Sequence, residues 1–156
     1  MPDPIKVLIA DDHEPLREGL KILLEFEEDI QLLGEARDGV EAVEMARALK
    51  PDVVVMDIMM PNMNGLEATR QIKTELGDTN VLIVSAEGDD TGVEQALACG
   101  ALGFICKHTS LLNVPNAIRE VNEGNTFFAL TPPEEAKESG EQGGGEAGEV
   151  LRERFS

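Results

Sequence analysis

Val53-Val54-Val55-Met56-Asp57 is a run of four apolar residues, three of them β-branched, closed by a carboxylate. A run of that length and branching reads as a strand buried on both faces of a sheet. Its last residue then falls at the carboxyl edge of the sheet, where open α/β folds place their ligands. Beyond it, Ile58-Met59-Met60-Pro61-Asn62-Met63-Asn64-Gly65 carries Pro and Gly and reads as a loop. Asp57 is thus a candidate nucleophile for a phosphoryl group.

Working outward, the same alternation repeats. Ile5 to Ala10 is an apolar run of strand length that ends at Asp11-Asp12. Pro15 suits the first turn of a helix, and Leu16, Leu20, Leu23 and Leu24 recur at helical spacing. Ile30 to Ala36 reads as a weaker strand, and Asp38-Gly39 as a turn. Val40, Val43, Met45, Ala46 and Leu49 predict a helix stopped by Lys50-Pro51. After Asp57, Leu66, Ile72 and Leu76 mark a third helix ended by Gly77, and Asn80 to Ser85 a fourth strand. Val93, Ala96 and Leu97 fall on a short helix with Gly100 at its C-cap. Gly103 to Cys106 predicts a fifth strand, and Leu111 to Val121 a last helix with Pro115 inside its opening turn or displacing its start. Five strands alternating with helices imply an α/β fold with parallel pairing.

The bulk composition narrows the function classes. A chain of 156 residues with 42% apolar content is long enough for one domain with a real core. Aromatics are 3% and all Phe, so aliphatic residues and Met must fill that core. No apolar run approaches the ~20 residues of a membrane span. Met1-Pro2-Asp3-Pro4 lacks the basic and apolar regions of a signal peptide, so a cytoplasmic location is expected. The net charge of −18, from 31 acidic and 13 basic residues, argues against direct nucleic-acid binding and against an anionic membrane surface. Cys99 and Cys106 are too few for a disulfide framework or a four-ligand zinc site and read as buried thiols. His13 and His108 lack metal-ligand spacing, and Met56, Met59, Met60 and Met63 read as packing residues.

The strand ends are Asp11-Asp12, Asp57, Ser85 and Lys107. In a parallel sheet these carboxyl ends share one edge. Clustered carboxylates repel one another unless a cation binds, and their hard oxygens favour Mg²⁺. A carboxylate there can attack phosphorus to give an aspartyl phosphate. Lys107 can pair with a phosphoryl oxygen, and Ser85 can donate a hydrogen bond to another. Phosphoryl transfer is mostly positioning and charge neutralisation, so no further group is required.

Ile5 to His13, the Asp57–Gly65 loop, Ser85-Ala86 and Lys107 together resemble the receiver domain of bacterial two-component response regulators. The resemblance covers about residues 5 to 125. The Asp11-Asp12-His13 start and Gly103-Phe104-Ile105-Cys106-Lys107-His108 are most similar to the NarL/LuxR-type branch. It implies a flavodoxin-like, doubly wound (βα)5 fold with a five-stranded parallel sheet of order 2-1-3-4-5. That order, which the resemblance implies rather than the pattern of the strands, makes strands 1, 3, 4 and 5 contiguous, so that the four groups converge. It also implies that Asp57 is the phosphoacceptor for a histidine kinase or histidine phosphotransfer protein. Asp11, Asp12, Asp57 and the backbone carbonyl of Met59 would bind Mg²⁺. Ser85 and Phe104 would form the switch, with Phe104 turning inward as phosphoryl oxygens draw in Ser85. Phe104 lacks the hydroxyl of Tyr-bearing members. His108 stands where many members have Pro, so a trans peptide is expected there. Met59 and Glu87 occupy positions that modulate phosphoryl lifetime in the family.

Residues 1–130 are expected to form the receiver. Residues 131–156 form an acidic Gly/Glu-rich tail whose stretch from Thr131 to Gly148 contains no Val, Ile, Leu or Phe, and disorder is expected for it. Val150 to Ser156 has the pattern of a short helix or docking peptide. Branch relatives normally carry a helix-turn-helix domain after a linker, and residues 131–156 are too short and too acidic to supply one. The expectation is a stand-alone receiver that signals by protein–protein contact, with a downstream effector the sequence does not name. The alternative is the receiver of a truncated DNA-binding regulator acting through dimerisation. An aspartyl phosphohydrolase is disfavoured, because Met59 stands where such enzymes place a second, proton-donating Asp. Only its own phosphorylation and slow dephosphorylation are expected as catalysis.

Overall fold

In the computed structural model the described residues are 3–86, 90–107 and 111–130. The readings made for Glu87, His108 and residues 131–156 lie outside them. The strands are β1 (Ile5–Ala10), β2 (Ile30–Ala36), β3 (Val53–Asp57), β4 (Asn80–Ser85), β5 (Gly103–Cys106) and β6 (Phe127–Ala129). The helices are α1 (Glu14–Glu25), α2 (Gly39–Leu49), α3 (Gly65–Glu75), α4 (Asp90–Ala98) and α5 (Val114–Asn122). All neighbouring strands pair in parallel, in the order β2-β1-β3-β4-β5-β6.

The apolar runs become central strands because both of their faces are covered. All residues of β3 and β5 are buried. Their side chains alternate between two cores, as the period of a strand requires. On one face Leu8, Val54, Met56, Ile83 and Phe104 pack with Ala42 and Ala46 of α2, Ala68 and Ile72 of α3, and Val93 and Ala96 of α4. On the other, Val7, Ile9, Val53, Val55 and Ile105 pack with Leu20 and Leu24 of α1 and Ala117, Ile118 and Val121 of α5. This layering leaves the strand ends as the uncovered edge where a site can form.

Two features differ from the sequence reading. The sheet has six strands, not five: Phe127, Phe128 and Ala129 pair with Gly103, Phe104 and Ile105. Three residues carry too little periodicity to announce a strand, and β6 exists because the β5 edge and the first core offer Phe128 a partner and a place. The last helix also begins later than Leu111, in keeping with the alternative that Pro115 displaces its start. A 3₁₀ turn spans Leu111–Asn113, and α5 starts at Val114 with Pro115 in its first turn. Pro115 has no N–H to give and fits only where that donor is not needed.

Candidate acidic pocket

β1 delivers its last residue, Ala10, to the sheet edge, and Asp11 follows with its N–H still donating to the Ala36 carbonyl at 3.0 Å. The chain then turns into α1. The His13 N–H donates to Asp11 Oδ1 at 2.8 Å, so His13 acts through its backbone. β3 delivers Asp57, which is only 3% exposed. β4 delivers Ser85, buried, and its carbonyl accepts the Lys107 N–H at 2.7 Å. That bond places Lys107 just past the end of β5. Its ammonium lies 3.1 Å from Asp57 Oδ2 and 3.2 Å from Asp11 Oδ2. Asp11, Asp12 and Asp57 each bring a carboxylate oxygen within 4.8 Å of the others. The residues singled out at four separate strand ends therefore meet at one edge.

The loop after Asp57 is held as tightly as the strand. The Gly65 N–H donates to the Ile58 carbonyl at 2.8 Å, closing the loop on itself. A Cβ at Gly65 would overlap the Asp57 carbonyl oxygen, so only glycine allows α3 to start there. Asn62 adopts a φ of 69°, a left-handed geometry that Asn tolerates. Its side-chain amide donates to Asp38 Oδ2 at 2.6 Å, and the Gly39 N–H donates to the Met63 carbonyl at 3.1 Å. Asp38 also caps α2, accepting from the Glu41 N–H at 2.7 Å. Asn64 caps α3 in the same way through the Glu67 N–H. Met56 is buried, and Met60 and Met63 pack against the first core. Met59 departs from the packing role read for it: its side chain is 74% exposed, because the loop turns it away from both cores.

The electrostatics follow from burial and crowding. Burial raises the Asp57 carboxyl to about 6, the Asp11 charge pushes the same way, and Lys107 opposes both. Burial alone lowers the Lys107 ammonium, but Asp57 and Asp11 outweigh it and leave it raised. The pocket therefore holds more negative charge than Lys107 neutralises. Its donors are hard carboxylate oxygens, two of the three carboxylates being buried, which fits Mg²⁺ in both ligand type and charge.

Phe104 is 1% exposed and already points inward, into the core shared with Val93, Ala96 and Phe128. The resemblance assigned that position to the phosphorylated form. With no hydroxyl to keep at the surface, Phe104 is held by burial alone. Arg17 was missed by the sequence reading. It lies on the buried face of α1 and donates from Nη1 to the Asp11 carbonyl at 2.6 Å. Its signal was a charged residue in the stripe otherwise filled by Leu20 and Leu24.

Residues 7–119 match the family described as the response regulator receiver domain. The chain is 42% identical over 120 residues to the transcriptional regulatory protein LiaR of Bacillus subtilis, an alignment covering 77% of this chain and 57% of LiaR. It is 40% identical over 124 residues to the response regulator protein VraR of Staphylococcus aureus, covering 80% of this chain and 59% of VraR. The chain thus spans about three fifths of the length of these relatives. Among solved structures it is similar to the signal receiver domain of a putative response regulator NarL from Mycobacterium tuberculosis. That likeness has a TM-score of 0.75 and 34% identity, and covers 80% of this chain and all of the other. A LuxR-family two-component response regulator from Aurantimonas matches with a TM-score of 0.76 and 30% identity, over 90% of this chain and 98% of the other. With its parallel sheet, acidic edge and these relatives, the chain belongs to the response regulator receiver family of two-component signalling proteins, in its NarL/LuxR-type branch.

Proposed function

We propose that Asp57 accepts a phosphoryl group from a sensor histidine kinase or histidine phosphotransfer protein, and that the chain then signals by binding another protein. The observation that carries this reading is the Lys107 ammonium bridging Asp57 at 3.1 Å and Asp11 at 3.2 Å inside a three-carboxylate pocket. An Asp57 oxygen attacks phosphorus, the bond from phosphorus to the donor breaks, and its electron pair leaves on the donor nitrogen or oxygen. Lys107 follows the negative charge from the carboxylate to a phosphoryl oxygen. Ser85, buried at the end of β4, takes a second phosphoryl oxygen. Asp11, Asp12, Asp57 and the Met59 carbonyl are the proposed holders of Mg²⁺, which when bound supplies charge neutralisation for the incoming phosphoryl group.

The cytoplasm is the proposed place of action; no helix among the described residues is long and apolar enough to cross a membrane. A second reading is that the chain is the receiver of a DNA-binding regulator, acting through dimerisation with no nucleic-acid contact of its own. The name and greater length of LiaR favour it. Acetyl phosphate with Mg²⁺ tests the shared core of both readings. Phosphate should label the wild-type chain, seen as an added mass of one phosphoryl group, and Asp57→Asn should abolish it. Label persisting on another residue would refute the assignment. A pull-down with the phosphorylated chain separates the two readings by the partner recovered.

A further inference from the structure

We propose that Arg17 is a positioning residue for the acidic pocket: it clamps the backbone of Asp11 so that the three carboxylates can share a divalent cation. The inference rests on the reading of that pocket as the Mg²⁺ site. Arg17 occupies the buried stripe of α1 together with Leu20 and Leu24, and a leucine or methionine would fill that stripe at least as well. Buried ion pairs are often no more stabilising than apolar residues of the same volume, so packing does not call for an arginine here. Its contacts do. Nε donates to Glu35 Oε1 at 3.1 Å, and Lys21 takes Glu35 Oε2 at 3.1 Å. Glu35 on β2 is thus engaged at both oxygens and holds the guanidinium in place. Nη1 is then free of Glu35 and donates to the Asp11 carbonyl at 2.6 Å.

Asp11 is consequently held at every polar atom. Its N–H goes to Ala36, its carbonyl to Arg17, Oδ1 to the His13 N–H, and Oδ2 to Lys107. Three of these partners are backbone groups or the pocket's own lysine. Among the described partners of Asp11, Arg17 is the one that reaches it from the buried face of α1. Without it the Asp11 peptide can rotate, and the spacing among Asp11, Asp12 and Asp57 relaxes. A pocket that must gather three like charges depends on that spacing being set before the cation arrives.

The test is a titration of MgCl₂ alone into the ¹⁵N-labelled full chain, following the amide shifts of Asp57 and its neighbours. Thermal unfolding of each variant checks that it is folded. Arg17→Ala should weaken Mg²⁺ binding about 10-fold or more, in line with other residues that orient metal ligands. With Mg²⁺ saturating, the maximal rate of labelling by acetyl phosphate should return to within about 3-fold of wild type, because Arg17 touches no reacting atom. Arg17→Lys keeps the charge but cannot span Glu35 and the Asp11 carbonyl together, and should also weaken Mg²⁺. It carries the test if the alanine variant does not fold. Unchanged Mg²⁺ affinity in a folded variant would overturn the inference alone. A wild-type chain that binds no Mg²⁺ would overturn the metal reading and the inference with it.

Discussion

Burial beside Asp11 raises the Asp57 carboxyl from 3.8 to about 6, so the folded state binds this proton more tightly than the unfolded chain does. The linked stability is fully present below pH ~3.8 and is lost as pH rises through about 6. At ~1.4 kcal/mol per pKa unit, the ionised Asp57 costs the metal-free protein on the order of 3 kcal/mol above that window. Asp57→Asn removes the charge while keeping the shape. In the presence of a chelator it should be more stable than wild type at pH 8, by up to ~3 kcal/mol, with the difference gone near pH 4. Urea unfolding at the two pH values measures this. A variant no more stable than wild type at pH 8 would mean that Lys107 already neutralises the pocket. The proposed nucleophile is thus held in a place the fold disfavours for its charged form, as functional carboxylates often are.

At the scale of elements, the loop between β3 and α3 matters most. Gly65 allows the chain to pass directly over the Asp57 carbonyl, and Gly39 allows α2 to meet the Met63 carbonyl at equally close range. A side chain at Gly65 meets backbone rather than a flexible side chain, so it has no cheap way out. Gly65→Ala should cost roughly 2–4 kcal/mol of stability by overpacking, and it should also lower labelling of Asp57 by displacing the loop. Urea unfolding and acetyl phosphate labelling of the same sample separate the two effects. A neutral outcome in both would show that α3 can start elsewhere. The loop's Pro and Gly were legible as punctuation. Which carbonyl each glycine approaches was not, because that contact depends on how the loop folds back on Asp57 and, for Gly39, on a residue far along the chain.

For the whole molecule, the informative boundary lies between β6 and the tail. Phe128 is buried against the first core, and β6 completes the sheet beside β5. Deleting residues 131–156 should leave cooperative unfolding intact, because Thr131 to Gly148 contains no Val, Ile, Leu or Phe and only the short Val150–Ser156 segment beyond it carries any. Deleting residues 127–156 should lower stability by about 2 kcal/mol or more, since it removes a buried aromatic and uncovers the β5 edge. Chemical denaturation of the two truncated chains tests both expectations. Equal loss in the two would place structural weight on the tail.

The succession along the chain and the bounds of the first five strands were readable from local pattern, whereas their order in the sheet came only from the family resemblance. β-branched runs of strand length and apolar residues at helical spacing are properties of neighbouring residues, and they do not need the rest of the fold to be recognised. The identity of the strand-end residues was readable for the same reason: Asp57, Ser85 and Lys107 each lie at or just past the end of such a run. Distance decided the remainder. That Asp57 ionises reluctantly, that Lys107 sits between two carboxylates, that Phe104 already faces inward, that Arg17 reaches the Asp11 carbonyl and that Phe127–Ala129 is a strand all depend on which surfaces are brought together. Burial, pairing and charge crowding are properties of assembled neighbours, and they come into being only when the sheet closes its two cores.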